Sequence, residues 1–267
     1  MAQTVVTYVD ENENRVYKNP KALPTEAKGL SVDLGYTNYQ IDVVSTELDR
    51  AIDYDVLELS IGASSSYGRW LYGANVKSLI QEIESNVNIS EVGNRLNDEA
   101  TIARIDLSLY ATYHLSSLLD FNMVLRHSKL DASDSYLSFI DYNTDFQYQT
   151  DGLAFALTFN KKFAEKHHVW LSSGLAYSNA TVKISESVNS KLDDTYIDDS
   201  STAVGFKLGT GYSYEYNKNL IFKISGDFYR FDFGNLEVRS RSQNSLLESA
   251  TLNEKTLSFR AGVSYRF

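Results

Sequence analysis

Cysteine is absent from the sequence, and proline occurs only twice. Without thiols there is no disulfide framework, no thiolate metal site and no cysteine nucleophile, which suits a reducing cytosol and a thiol-free exported chain equally. Long apolar runs are missing as well. No stretch approaches the roughly 20 consecutive apolar residues of a membrane-spanning helix, so a helical membrane protein is excluded. A clustered Lys/Arg excess is also lacking in a chain of net charge −10, and without one no nucleic-acid partner is expected. No charged segment followed by an apolar one opens the chain; "MAQT" reads as a start methionine placed before the Ala-Gln of a processed, exported protein.

What the chain has in quantity is strand formers: 19 Tyr and 13 Phe against 2 Pro and 2 Met. Aromatic and β-branched side chains favour pleated sheet. The 267 residues suit a single large all-β unit. The closing stretch "LSFRAGVSYRF" shows the pattern that matters. Successive side chains of a strand point to opposite faces, so Leu257, Phe259, Ala261, Val263, Tyr265 and Phe267 share one face. Ser258, Arg260, Gly262, Ser264 and Arg266 share the other. Taken alone, such a segment is an ordinary half-buried strand.

It is not alone. The same alternation recurs in ten segments, starting at Leu30, Leu57, Trp70, Arg104, Leu119, Leu153, Val169, Val204, Leu220 and Leu257. Each has about the 9–11 residues that cross a bilayer at a tilt. Short turns near residues 65, 117, 164 and 217 interleave with long polar segments around 45–55, 78–101, 128–151, 179–202 and 234–255. An even number of up-and-down strands, with short turns at one end and long loops at the other, predicts an all-β transmembrane antiparallel barrel. Ten strands fit best, with eight and twelve as the neighbouring even counts. The polar face is too charged for a dry core: Asp33, Glu58, Lys77, Arg104, Asp106, Asp120, Arg126, Lys207, Lys223, Asp227, Arg260 and Arg266. These residues are expected to form a charge network in the lumen while the apolar face meets lipid. Mixed signs favour a plug of ion pairs over a filter of one sign. Gly174, Gly205, Gly209, Gly211 and Gly262 also face inward, either to leave room along one wall or to relieve curvature.

At the level of this pattern, residues 29–267 resemble a bacterial outer-membrane β-barrel protein. The end "GVSYRF" is similar to the C-terminal insertion signal of that class, carried here by Phe259, Val263, Tyr265 and Phe267. The resemblance implies a Gram-negative outer-membrane location and recognition by the barrel assembly machinery. It further implies a periplasmic C-terminus, hence periplasmic short turns and extracellular long loops. Tyr113, Phe121, Phe159, Tyr212, Tyr214 and Phe222 then fall near the short turns as an aromatic girdle. Residues 1–28 lie outside the strand series and read as a periplasmic extension or linker, either a short polar hairpin with "ENEN" at its bend that meets a periplasmic partner or the glycine-lined wall, or a disordered tail.

The architecture specifies activity poorly. A ten-strand barrel lies near the size that its side chains fill, so the expected function is a non-enzymatic surface, partner-binding or envelope-structural barrel. The alternatives are a narrow, porin-like channel for ions or small solutes and an outer-membrane lipid hydrolase. For the hydrolase the lead is "RHSKL", but adjacent His127 and Ser128 point to opposite faces of a strand. Omptin-type proteases share a ten-strand barrel but need an Asp/His pair, and no Asp-x-His spacing occurs. No catalytic residue is assigned. Asp131, Asp134, Asp141, Asp145 and Asp151 in the third long loop and Glu186, Asp193, Asp194, Asp198 and Asp199 in the fourth make the extracellular loops acidic, either as a solvated face or, at Asp193, Asp194, Asp198 and Asp199, as ligands for loop-bound Ca²⁺ or Mg²⁺. No other cofactor is expected. The expected partners are outer-membrane lipids and lipopolysaccharide, the barrel assembly machinery during insertion, and a protein held through the loops or the N-terminal tail.

Overall fold

The computed structural model describes residues 8–9, 16–17, 27–46, 49–80, 100–137, 141–189 and 191–267. Ten long strands dominate it: β1 Ala27–Val44, β2 Asp49–Tyr67, β3 Trp70–Leu79, β4 Ala100–His114 and β5 Leu119–Leu137. They continue as β6 Asp141–Ala164, β7 His167–Val188, β8 Thr195–Glu215, β9 Leu220–Ser240 and β10 Ser245–Arg266. Each pairs antiparallel with its chain neighbours. β10 returns to β1 in continuous register from Arg266↔Gly29 to Thr251↔Val44, which closes the sheet into a barrel. Closure leaves no sheet edge at this seam. Outside the barrel, Tyr8–Val9 pairs with Val16–Tyr17; the bend between them lies outside the described residues.

Gly68–Arg69, 115–118, 165–166 and 216–219 join strands at one end, together with both ends of the barrel chain. Gly68 takes a positive φ of 59° there, where a side chain would be strained. At the other end four of the five segments read from the sequence as long loops are largely strand, while most of the fifth, 78–101, lies outside the described residues. β5 runs to Leu137 and β6 resumes at Asp141, so Asp131, Asp134, Asp141, Asp145 and Asp151 are strand residues. β9 and β10 are joined by residues 241–244 alone.

The misreading has a physical cause, which is a reversal of polarity along each strand. On β1, Leu30, Val32, Leu34 and Tyr36 point outward and are exposed, while Asp33 and Thr37 are buried inside. Two residues further on the apolar set changes sides: Tyr39, Ile41 and Val43 are fully buried in the interior. The backbone continues without a bulge, so the inner parity is unchanged while its chemistry inverts. β2 repeats this, with Leu57, Leu59 and Ile61 exposed but Ile52, Tyr54 and Val56 buried. So do β6, with Leu153 outward and Phe146 and Tyr148 buried, and β10, with Leu257 outward and Leu252 buried.

The outward apolar belt thus covers only the half of the barrel nearer the short turns. Beyond it the strands enclose a conventional apolar core that includes Ile102, Leu130, Val182, Ile184, Ile197, Phe231, Leu236 and Val238. Each such side chain contributes roughly 1.5–3 kcal/mol by leaving water, which holds the far half together where no lipid surrounds it. β3 is described to Leu79, and residues 81–99, which lead to β4, lie outside the described residues.

Candidate functional site

The lumen is occupied where the two polarity regimes meet. Arg104 points inward from β4 and is 3% exposed. Its Nε donates to Asp106 Oδ1 at 3.1 Å, its Nη1 to the Tyr54 hydroxyl at 3.3 Å, and its Nη2 lies 3.8 Å from Glu254 Oε1. Its guanidinium carbon stands 3.9 Å from the centroid of the Tyr39 ring, and that ring stacks on Tyr54 at 5.1 Å. Desolvated cation–π contact of this kind is worth about 2 kcal/mol.

Around this stack the remaining partners are complementary. Lys77 Nζ lies 2.9 Å from Asp106 and 3.1 Å from Glu58. Arg126 reaches Asp106 at 3.3 Å, and the Ser128 hydroxyl also donates to Asp106. Glu58 accepts from the Thr37 and Tyr39 hydroxyls at 2.6 Å each, and Glu254 accepts from the Tyr148 hydroxyl at 2.7 Å. Lys77, Arg104 and Arg126 thereby face Glu58, Asp106 and Glu254, so the cluster is balanced. Balance matters because a buried charge without a partner is strongly destabilising, whereas a satisfied pair roughly offsets its own desolvation.

Nearer the short turns the network continues. Asp227 pairs with Lys207 at 3.4 Å and with Arg260, and Asp33 pairs with Lys223 at 2.9 Å. Asp120 is held by His114 at 2.7 Å and by the Asn160 amide at 2.6 Å, not by the arginines of its hairpin. Arg266 is half exposed at the rim, 3.7 Å from Glu215.

The inward glycines do not leave a wall open. Trp170 from β7 fills the space over Gly209 and Gly211, and a Cβ on Gly211 would lie 2.5 Å from its indole. Tyr110 fills the space at Gly73, Phe231 that at Gly205, and Asp33 that at Gly262. These glycines face bulky neighbours across the sheet, which is a reason for small residues apart from curvature. A residual cavity of about 100 Å³ remains, lined by Lys77, Asp106, Arg126, Lys207, Glu254 and Arg260 among others. Its size and polar lining suit ordered water.

The aromatic residues cluster as their register dictates. Tyr113 pairs with both Trp70 and Phe121 beside the first two short turns. Phe159 lies opposite Leu119 and Leu171. Tyr212 and Tyr214 pair with Ile224 and Phe222. Of the terminal residues, Phe259, Val263, Tyr265 and Phe267 are all outward and exposed. Tyr36 and Tyr177 occupy the opposite edge of the belt.

Asp193, Asp194, Asp198 and Asp199 do not converge. Asp194 accepts from the Ser240 hydroxyl and the Ser242 N–H at 2.6 Å each, and the Ser240 bond first, then Ser242, hold its carboxyl below the usual range. Asp198 pairs with Lys183 at 3.3 Å, Asp199 accepts from the Glu237 N–H at 2.8 Å, and Asp193 accepts from the Asp194 N–H at 2.7 Å. Their oxygens are engaged by the protein on different faces, and among the described residues no three His, Cys, Asp or Glu side chains gather as metal ligands.

His127 and Ser128 diverge as adjacent strand residues must: Ser128 is buried on Asp106, while His127 points outward. An Asp/His pair nevertheless forms, because cross-strand register sets Asp151 opposite His127 with Nδ1 at 2.7 Å from Oδ1. A search by spacing along one strand could not find it. Sequence reading also missed Tyr39, Tyr54, Tyr148 and Glu254. Following inner parity past the end of the apolar belt is the signal that places them in the lumen.

A closed antiparallel barrel with an outward apolar belt and a charged, side-chain-filled lumen defines a transmembrane β-barrel of the outer-membrane type. In fold the chain is similar to the outer membrane protease OmpT from Escherichia coli, with a TM-score of 0.65 at 9% identity, covering 91% of this chain and 96% of that one. It is also similar to the translocator domain of the autotransporter NalP from Neisseria meningitidis, with a TM-score of 0.52 at 12% identity, covering 90% and 89%. No protein-family model matches the sequence, and no curated protein matches it.

Proposed function

We propose that the protein is a non-enzymatic surface barrel of the Gram-negative outer membrane, closed to solutes, whose far half is a rigid platform for binding a partner. The observation that carries this reading is the lumen itself: the Tyr39–Arg104–Tyr54 stack and its ion pairs leave a cavity of only about 100 Å³. The apolar core beyond the stack supports it further, since a conduction path would have to cross both. In this reading the exposed terminal face of Phe259, Val263, Tyr265 and Phe267 is the address for the barrel assembly machinery. The short turns and residues 1–28 are then periplasmic, and the far half is extracellular. Tyr113, Phe121, Phe159, Tyr212, Tyr214 and Phe222 anchor the belt at the periplasmic interface. Single-channel recording in planar bilayers tests the closed lumen: a flat baseline is expected, and steady openings would overturn it in favour of a narrow channel.

One observation favours a second reading, a lipid hydrolase. The His127–Asp151 pair faces outward directly above Leu125 and Leu153, so its free Nε2 stands at the lipid interface. Ser128 lies on the other face of the strand, so water would have to serve as the nucleophile. A lipid-deacylation assay comparing the parent with His127→Ala decides this reading, and equal activity in the two removes it.

A further inference from the structure

The first outward row beyond the apolar belt is uneven in charge. On β1 and β2 it holds Asn38 and Asp55, and on β5 and β6 the His127–Asp151 pair. On β9 and β10 it holds Arg230 and Lys255, which are directly opposed cross-strand partners two positions beyond the Phe228↔Leu257 pair. Like charges opposed in this way destabilise a sheet unless something neutralises them. Asp232 takes up part of the Arg230 charge, at 3.1 Å from Nε on a side chain still 46% exposed. Lys255 makes no ion pair among the described residues. The next carboxylate along this row is Asp53, beyond Gln40, and the Asn38 amide already holds it at 2.9 Å.

In a chain of net charge −10, one carboxylate among the described residues, Asp232, answers two adjacent cations in this row, which leaves Lys255 open to an anion from outside the chain. Their position names it. Phe206 is the register neighbour of Arg230 and packs on Phe228 at 5.6 Å, so the cations stand at the edge of a lipid-facing aromatic pair. Charged headgroups begin where acyl chains end, and anionic lipid attracts Lys and Arg at that depth. We propose that Arg230 and Lys255 form a site on the outer wall for the phosphate of a membrane lipid headgroup, with the acyl chains lying along Phe206, Phe228 and Leu257. An Arg fork and a Lys ammonium together suit a phosphate monoester, which offers several acceptor oxygens. The site rests on the reading above only for the leaflet it faces, which the proposed orientation makes the outer one.

The test uses the full chain refolded in detergent, so it depends on neither conductance nor orientation. Bound lipid is counted by native mass spectrometry with diphosphoryl lipid A, its dephosphorylated form and inorganic phosphate as probes. The parent should retain the diphosphoryl lipid, and Arg230→Gln with Lys255→Gln should weaken retention about tenfold or more, as expected for losing two charge-assisted contacts. Lys183→Gln, on an outward residue paired with Asp198, should leave retention unchanged. Lys255→Glu keeps the test decisive if the double variant folds poorly: it places a carboxylate beside Arg230, so it should raise the lipid-free melting temperature while abolishing retention. Equal retention by parent and variants overturns the site. So does equal binding of the dephosphorylated lipid, and so does inorganic phosphate displacing the lipid at equal concentration.

Discussion

The Arg104 guanidinium stands 3.9 Å from the centroid of Tyr39, and Tyr39 is the first inward aromatic on β1 after the outward belt ends at Tyr36. One cation therefore sits at the junction between a lumen of ion pairs and a dry core. It is shared by Asp106 and Glu254 on separate strands.

Replacing Arg104 with Met should cost about 3–5 kcal/mol, since it leaves Asp106 and Glu254 short of a buried counter-charge. Arg104→Lys should fall between the two, because the ammonium keeps the charge but loses the planar stack and the fork. Urea unfolding in lipid vesicles, followed by tryptophan emission, measures both. A loss below about 0.5 kcal/mol for Met, the range of an unremarkable surface change, would show that the cluster is not structural.

The polarity reversal predicts opposite responses to one substitution on one strand. Val32→Arg places a charge on the lipid face and should cost about 2–4 kcal/mol. Val44→Arg, outward but beyond the belt and opposite Thr251 and Asp49, should stay within about 0.5 kcal/mol. The same unfolding assay compares them, and equal costs would mean that the belt extends past Tyr36.

Gly211→Val should destabilise the barrel by about 1–3 kcal/mol through overpacking, because the new Cβ meets the Trp170 indole at 2.5 Å. Trp170→Ala in the same chain should recover part of that loss, and the double-mutant cycle should show favourable coupling. Additive costs would show that the indole has room to move aside.

Asp194 joins the start of β8 to Ser240 and Ser242. Its carboxyl titrates below its ordinary value, so the contribution of this contact is present above the ordinary carboxylate range near 3.9 and is lost as pH falls through the lower folded value. The Ser242 amide resonance should therefore be constant from neutral pH down to about 4 and shift only below that. In Asp194→Asn the shift should vanish.

Strand count, hairpin order and lumen-facing charges were legible because lipid on one side and ion pairs on the other impose a strict period of two. Asp33, Glu58, Lys77, Arg104 and Asp106 all lie where that period puts them. The far half was illegible for the same reason. Ile52, Tyr54 and Val56 alternate with Ala51, Asp53 and Asp55 as regularly as any membrane strand, but with the apolar set on the inner parity. A reading that expects apolar residues outward sees a polar loop there. Contacts across the sheet, such as Trp170 on Gly211 or Asp151 on His127, depend on register between strands and leave no spacing within one.

The distal core also runs across the seam between the first and last strands. Tyr39, Ile41 and Val43 on β1 and Ala250, Leu252 and Glu254 on β10 all point into it. That core is complete only once β10 has zipped onto β1, and parting the two strands there would flood it with water. The far half thus works as a clasp on the ring: it rewards closure at the last step of folding and penalises lateral gaping ever after.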